Sequence, residues 1–328
     1  MTSSITRRVV VATTAALAGI AALPARGQNA MPRGPIRILV GFSPGGSADV
    51  VARLIAEKLR ERTGVQTIVE NKPGAGGVIA TEAVVKMPPD GNVVVLAAMA
   101  STVMAKLTYV KLPYDPLVDL APVSLVSTFQ LALAIDPKLP VKTMPEFVAW
   151  AKANPKLANF GIPAPGGHSH FFGLMLGKAL GIDMQPVPYK GSAPMITDIG
   201  ASQLHVGVSA LSDFMGAWKG GKVRVLATSG TARSLAATEL PTFAESGYPA
   251  LVGEGWLGLY GPAATPPAAA AALAAEVTEI LAIPDIRDRI VAMGMEPRGG
   301  TPAELADFDR AELKRWAPVV EASGFKVQ

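Results

Sequence analysis

The stretch GFSPGGSAD, Gly41 to Asp49, joins an apolar run, Ile36 to Val40, to an amphipathic segment, Val50 to Arg62. A short apolar run, a glycine turn and then a helical period read as strand, tight turn and helix. Gly45 and Gly46 let the backbone turn sharply and approach a ligand. A helix starting here directs unpaired N–H groups and a partial positive charge out of its first turn. The segment is an anion receptor built from backbone.

The N-terminal residues suggest where such a receptor works. Arg7 and Arg8 precede an apolar, Ala-rich run from Val9 to Leu23. Its length suits a signal-peptide core and falls short of the roughly 20 residues needed to span a bilayer. Ala25 and Gly27 supply small residues at the two cleavage positions, so residues 1–27 are expected to be a signal peptide. Thr6-Arg7-Arg8 also permits a twin-arginine route, although the general secretory route is the preferred reading. No later segment has enough consecutive apolar residues to span a membrane. The mature protein is therefore expected to be soluble, or at most peripheral, in a Gram-negative periplasm.

Of the 328 residues, 49% are hydrophobic and only 17% charged, which suits a compact globular protein. About 300 residues remain after cleavage, enough for two domains with separate cores. The net charge of +4 includes Arg7, Arg8 and Arg26, so removing residues 1–27 leaves +1. No block of Lys and Arg points to nucleic acid or lipid. The absence of Cys excludes disulfides, thiolate catalysis and Cys-based metal sites.

Strand and helix signals alternate along the chain, which argues for mainly parallel sheets covered on both faces. Val65 to Val69 reads as a strand, Asn71 to Gly77 (NKPGAGG) as a second glycine turn, Val78 to Met87 as a helix and Val93 to Ala97 as a third strand. Loops at the carboxyl ends of parallel strands share one sheet edge, so the two glycine turns can face one ligand. Ser101 and Thr102 follow the third strand at that edge and are candidate hydroxyl donors. Capping boxes are expected at Thr143 to Glu146, Thr242 to Glu245 and Thr301 to Glu304. PAPGGHSH, Pro163 to His170, forms a third glycine turn entering an apolar helix that ends near Gly181. A helix to Ala201 and strands at His205 to Ser209, Val223 to Thr228 and Trp256 to Tyr260 follow, with helices from Pro267 onward.

Five segments carry a resemblance: PIRILVGFSPGGSADVVARLIAEKL from Pro35, VENKPGAGGVIATEAV from Val69, LPYDP from Leu112, VPYKGSAP from Val187 and GGTPAELADF from Gly299. In this order they resemble the substrate-binding proteins of tripartite tricarboxylate transporters, the TctC or Bug family. The resemblance implies a type II periplasmic binding protein, an α/β fold of two lobes around a ligand cleft. It places lobe 1 at residues 35–128 plus 228–328 and lobe 2 at 129–227, with hinge crossings near Ser127 and Thr228. It implies capture of a small organic carboxylate by backbone N–H groups, hydroxyls and water. Delivery would be to a two-subunit membrane permease or a sensor, by a monomer that needs no cofactor.

Phe42, Ser43, Gly45, Gly46 and Ser47 match the family's first anion loop, and Gly74, Gly76 and Gly77 its second. Asp49 sits in the first helical turn, where capping and a pocket role are both open. In the second lobe Gly166, Gly167, Ser169 and His170 match a Ser- and Gly-rich loop ending in His, and Tyr189 belongs to a motif facing the cleft. His168, His170 and His205 invite a metal reading, but their spacing and the lack of a nearby carboxylate favour hydrogen-bonded loop histidines and no metal. Trp256 suits either the cleft wall or the core. Ser209 stands where the family usually has Asp, and Ile162 to Pro165 replace a polar run. Both changes favour a plain mono- or dicarboxylate over an amino acid and leave room for an aromatic or branched acid. Two enzyme readings compete with binding. A nucleotide-dependent enzyme lacks the G-x-G-x-x-G spacing and a Walker lysine. A hydrolase using Ser169 or Ser209 lacks a nucleophile elbow.

Overall fold

Ile36–Val40 form strand β1, buried along nearly its whole length, in a computed structural model that describes residues 31–32 and 34–327. The expected signal peptide lies outside those residues. Ser47–Thr63 form α1, which Gly64 ends in the left-handed conformation, with φ 73°. There follow β2 (Thr67–Asn71), α2 (Val78–Val85), β3 (Val93–Ala98) and α3 (Val103–Thr108). The long β4 (Leu120–Ile135) precedes α4 (Met144–Ala153), β5 (Phe160–Ile162), α5 (His168–Leu180), β6 (Pro186–Pro188), α6 (Ser192–Gly200), β7 (Val206–Ala210) and α7 (Leu211–Lys219). The chain closes with β8 (Arg224–Thr228), β9 (Glu254–Pro262), α8 (Pro267–Ala282), α9 (Pro284–Ala292), β10 (Glu296–Pro297) and α10 (Pro302–Ser323).

The strands run in the order β2-β1-β3-β9-β4-β7-β5-β6. β1, β2 and β3 pair in parallel at one end, and β5, β6 and β7 in parallel at the other. Between them β9 and β4 run antiparallel to their neighbours. β4 changes partners partway along. Leu120 to Gln130 lie against β9, whereas Leu131 to Ile135 lie between β7 and β8. The alternation of strand and helix signals left this strand unmarked.

Ser229, immediately after β8, ties the chain there to β4. Its Oγ accepts from Leu131 N at 2.8 Å and donates to the Gly253 carbonyl, while its own N–H donates to Leu131 O at 2.9 Å. The capping boxes at Thr143 and Thr301 open α4 and α10 as expected. Thr242 and Glu245 make the same reciprocal bonds, at 2.8 and 3.1 Å, but no helix follows. Gly247, with φ 96°, and Pro249 break the chain before a second turn can form.

One buried cluster brings Met99 and Val103 together with Phe160, Phe171 and Phe172, and with Trp316 and Val320 of α10. The chain end ties the two parallel halves further. Val327 pairs with Tyr109, and Phe325 packs edge-on against His170 at 5.3 Å.

Candidate functional site

A cavity of about 360 Å³ opens where the amino ends of α1, α5 and α7 converge. The three helices start there because each follows the carboxyl end of a strand: α1 and α5 through glycine-containing turns after β1 and β5, and α7 directly after β7. Gly46 caps α1 and Gly167 caps α5, and neither helix has a side-chain cap. Their first-turn N–H groups are therefore left for a ligand. Gly46, Ser47 and Ala48 line one side, and Gly167, His168 and Ser169 another.

The first loop is braced from behind. Gly45 adopts φ 84°, and its N–H donates to Asp49 Oδ2 at 2.9 Å. Asp49 also accepts from Arg53 Nε at 3.0 Å and Asn71 Nδ2 at 2.9 Å, and Asn71 Nδ2 reaches the Phe42 carbonyl at 3.0 Å. The Arg53 guanidinium, helped by Gly45 and Asn71, holds the Asp49 carboxyl down at about 2, against the opposing effect of burial. Asp49 thus shapes the loop and does not line the cavity. Ser43 plays a similar part, its carbonyl accepting from Gly46 N at 3.3 Å. The second glycine loop lies against the first so closely that a Cβ on Gly41 would sit 2.4 Å from Gly77 Cα. Gly76 from this loop reaches the cavity.

The structure brings Phe42, Gly46, Ser47, Gly167, Ser169 and Ser209 to the cavity and sets the other candidates back from it. Ser101 is fully buried, its Oγ accepting from Thr81 Oγ1 at 3.1 Å and donating to the Ala98 carbonyl at 3.2 Å. Ala98, Met99 and Ala100 take its expected place on the wall. Thr102 faces a small separate void shared with Asp309. Gly166 lies against Phe325, and His170 Nδ1 accepts from Gly166 N at 3.2 Å. Tyr189 turns its hydroxyl to Asp198, at 2.8 Å. His168 and His170 both sit in the first turn of α5, and His205 lies at 3.3 Å from Asp136. Trp256 is buried in the core, and its strand neighbour Leu257, on the opposite face, lines the cavity.

Several lining residues escaped the sequence reading. Phe129, Leu257 and Met295 add apolar wall, Phe129 packing edge-on to the His168 ring at 5.4 Å. His168 Nε2 is buried without a hydrogen-bond partner among the described residues. Burial pushes this imidazole down to about 4, so it is neutral at pH 7. Asp213 supplies a carboxylate one helical turn beyond Ser209, whose Oγ donates to it. The carboxyl missing at position 209 is thus found at position 213 instead. Burial raises the Asp213 carboxyl, and the Ser209 hydroxyl opposes that shift. The only sequence signal was the four-residue spacing of Ser209 and Asp213 across a strand end.

Two α/β halves joined by β4 and β9, with helix amino ends converging on a cavity between them, define a periplasmic binding protein. The family model described as "Tripartite tricarboxylate transporter family receptor" matches residues 51–325. The chain belongs to this family, TctC. Protein BugT of Bordetella pertussis is 32% identical over 314 residues, covering 95% of this chain and 96% of the relative. A solved R. palustris protein with adipate is 29% identical, with a TM-score of 0.80 over 90% of this chain and 99% of that one. MatC from Rhodopseudomonas palustris with bound malate is 28% identical, with a TM-score of 0.75 over 88% and 100%. Among the described residues no helix is long and apolar enough to cross a membrane.

Proposed function

We propose that this protein captures a small organic carboxylate in its cavity, in the periplasm, and delivers it to a two-subunit permease of the tripartite type or to a sensor. The observation that carries the reading is the pair of helix starts, Gly46 to Ala48 and Gly167 to Ser169, that face one cavity without side-chain caps. A carboxylate there receives charge-assisted hydrogen bonds from preorganised N–H groups. The relatives solved with adipate and malate support an organic acid as the ligand class.

Residues 35–128 with 228–328 form one lobe in this reading, and 129–227 the other. The change of strand partner in β4 after Gln130 and the Ser229 crossing support that division. Closure of the lobes excludes water and strengthens the bonds to the carboxylate. The protein acts as a monomeric carrier and not as an enzyme. Ser209 donates to Asp213, and among the described residues neither Ser169 nor Ser209 is hydrogen-bonded to a histidine.

Thermal unfolding against di- and tricarboxylates, aromatic acids, amino acids and NAD tests the proposal. A ligand at about 100 times its Kd stabilises by roughly 2.7 kcal/mol, a shift of several degrees. A shift with acids alone is expected. A shift with NAD, or turnover of any ester or nucleotide, would replace binding by an enzyme reading.

A further inference from the structure

One cavity group has the wrong sign for an anion. Asp213, in the first turn of α7, lines the cavity beside Ser209 and Ser212 and remains accessible to an incoming molecule. Among the described lining residues there is no Lys or Arg, and His168 is held neutral. Asp213 therefore has no countercharge within the cavity. Its hydroxyl partners are Ser209, on the cavity side, and Ser192, and partial desolvation raises its carboxyl pKa.

The two ends of a ligand consequently meet different chemistry. A carboxylate at the α1 and α5 starts is stabilised by N–H groups. A second carboxylate reaching α7 meets the Asp213 carboxyl between apolar walls that include Phe42, Phe129 and Met295, and either repels it or has to leave it protonated. A hydroxyl or ammonium at the same place donates to Asp213 and adds to the bonds from Ser209 and Ser192. Resting on the binding reading above, we propose that the cavity selects an organic acid whose other end carries a hydrogen-bond donor seated on Asp213. An acid of equal length ending in a second carboxylate is rejected. The repulsive element sets this specificity as much as the attractive one.

Two matched series test it by calorimetric titration of the protein. The first is caproate, ε-hydroxycaproate, ε-aminocaproate and adipate; the second is benzoate, para-hydroxybenzoate, para-aminomethylbenzoate and terephthalate. A donor-ended acid is expected to bind about tenfold or more tightly than the dicarboxylate of its series. In Asp213→Asn that ratio should fall to about threefold or less. Asparagine keeps an acceptor, so it retains hydroxyl acids better than ammonium acids, which separates the two donors. Equal binding of donor-ended acid and dicarboxylate to the unaltered protein overturns the proposal, as does an unchanged ratio in the variant. Should Asp213→Asn fail to fold, Asp213→Ser and the ranking in the unaltered protein give the same decision. Acids that bind without this ranking defeat only the present inference. Failure of every acid defeats the carboxylate reading as well.

Discussion

Gly45, Asp49 and Arg53 work together without any of them lining the cavity. The positive φ of Gly45 turns its N–H onto Asp49, and Arg53 neutralises the carboxylate from solvent. Because the folded pKa of Asp49 lies below the ordinary value, its contribution to stability is present above about pH 4 and is lost as pH falls through about 2. Arg53 is half exposed, so solvent screening limits the contribution to about 1 kcal/mol. Asp49→Asn should lower stability at pH 7 by that order and flatten the loss between about pH 4 and pH 2, as read by denaturant melts across that range. An unchanged acid limb would remove Asp49 from the acid sensitivity of the fold. The glycines of this loop were legible in the sequence because a glycine turn between strand and helix has few other readings. Asp213 was not, since its place in the cavity follows from how β7 ends and how α7 lies across it.

At the scale of elements, strands and helices with clear punctuation emerged close to where their residues put them. β1 runs from Ile36 to Val40 as expected, and α5 stops at Gly181. β2 starts at Thr67, two residues later than the apolar run suggests, because Val65 and Gln66 are spent leaving the Gly64 cap. β9 and α10 meet at a buried contact that the sequence did not announce. Tyr260 OH donates to Asp309 Oδ1 at 3.0 Å, and burial pushes the Asp309 carboxyl up to about 7. Thr102 and Lys106 line the small void beside it, and Arg310 acts on it electrostatically. A raised carboxyl pKa gives stability that is complete below about pH 4 and declines as pH rises toward 7. Asp309→Asn should remove this decline, whose slope is at most about 1.4 kcal/mol per pH unit. Urea midpoints from about pH 4 to pH 7 measure it. Parallel profiles for both proteins would mean that Asp309 ionises in the folded state near its ordinary pKa.

Over the whole molecule, in the two-lobe reading proposed above, the halves are connected through β4, the chain at Ser229 and the chain end. Gln130 joins the two chain segments there by donating from Nε2 to the Ala232 carbonyl at 3.0 Å, in space that a side chain on Gly230 would fill. Phe325 lies behind the Gly166 loop, and α10 shares a core with both halves, so the proposed closure would disturb packing at α10 as well as at β4. An acid that raises the melting temperature should therefore reduce the radius of gyration in small-angle scattering. An unchanged radius with bound acid would mean that the cavity accepts ligand without closure.

The sequence by itself determined the α/β class, the three glycine turns, two of the three capped helix starts and the family likeness. These rest on local signals: hydrophobic period, turn chemistry and caps act over a few residues and survive without tertiary context. Only the tertiary structure decided that β4 serves both halves, that Ser101 turns inward while Ala98 to Ala100 face the cavity, and that Asp213 joins Ser209 there. Each of these depends on strand pairing or on which side of a turn meets a neighbouring element, and residues far apart in the chain set both.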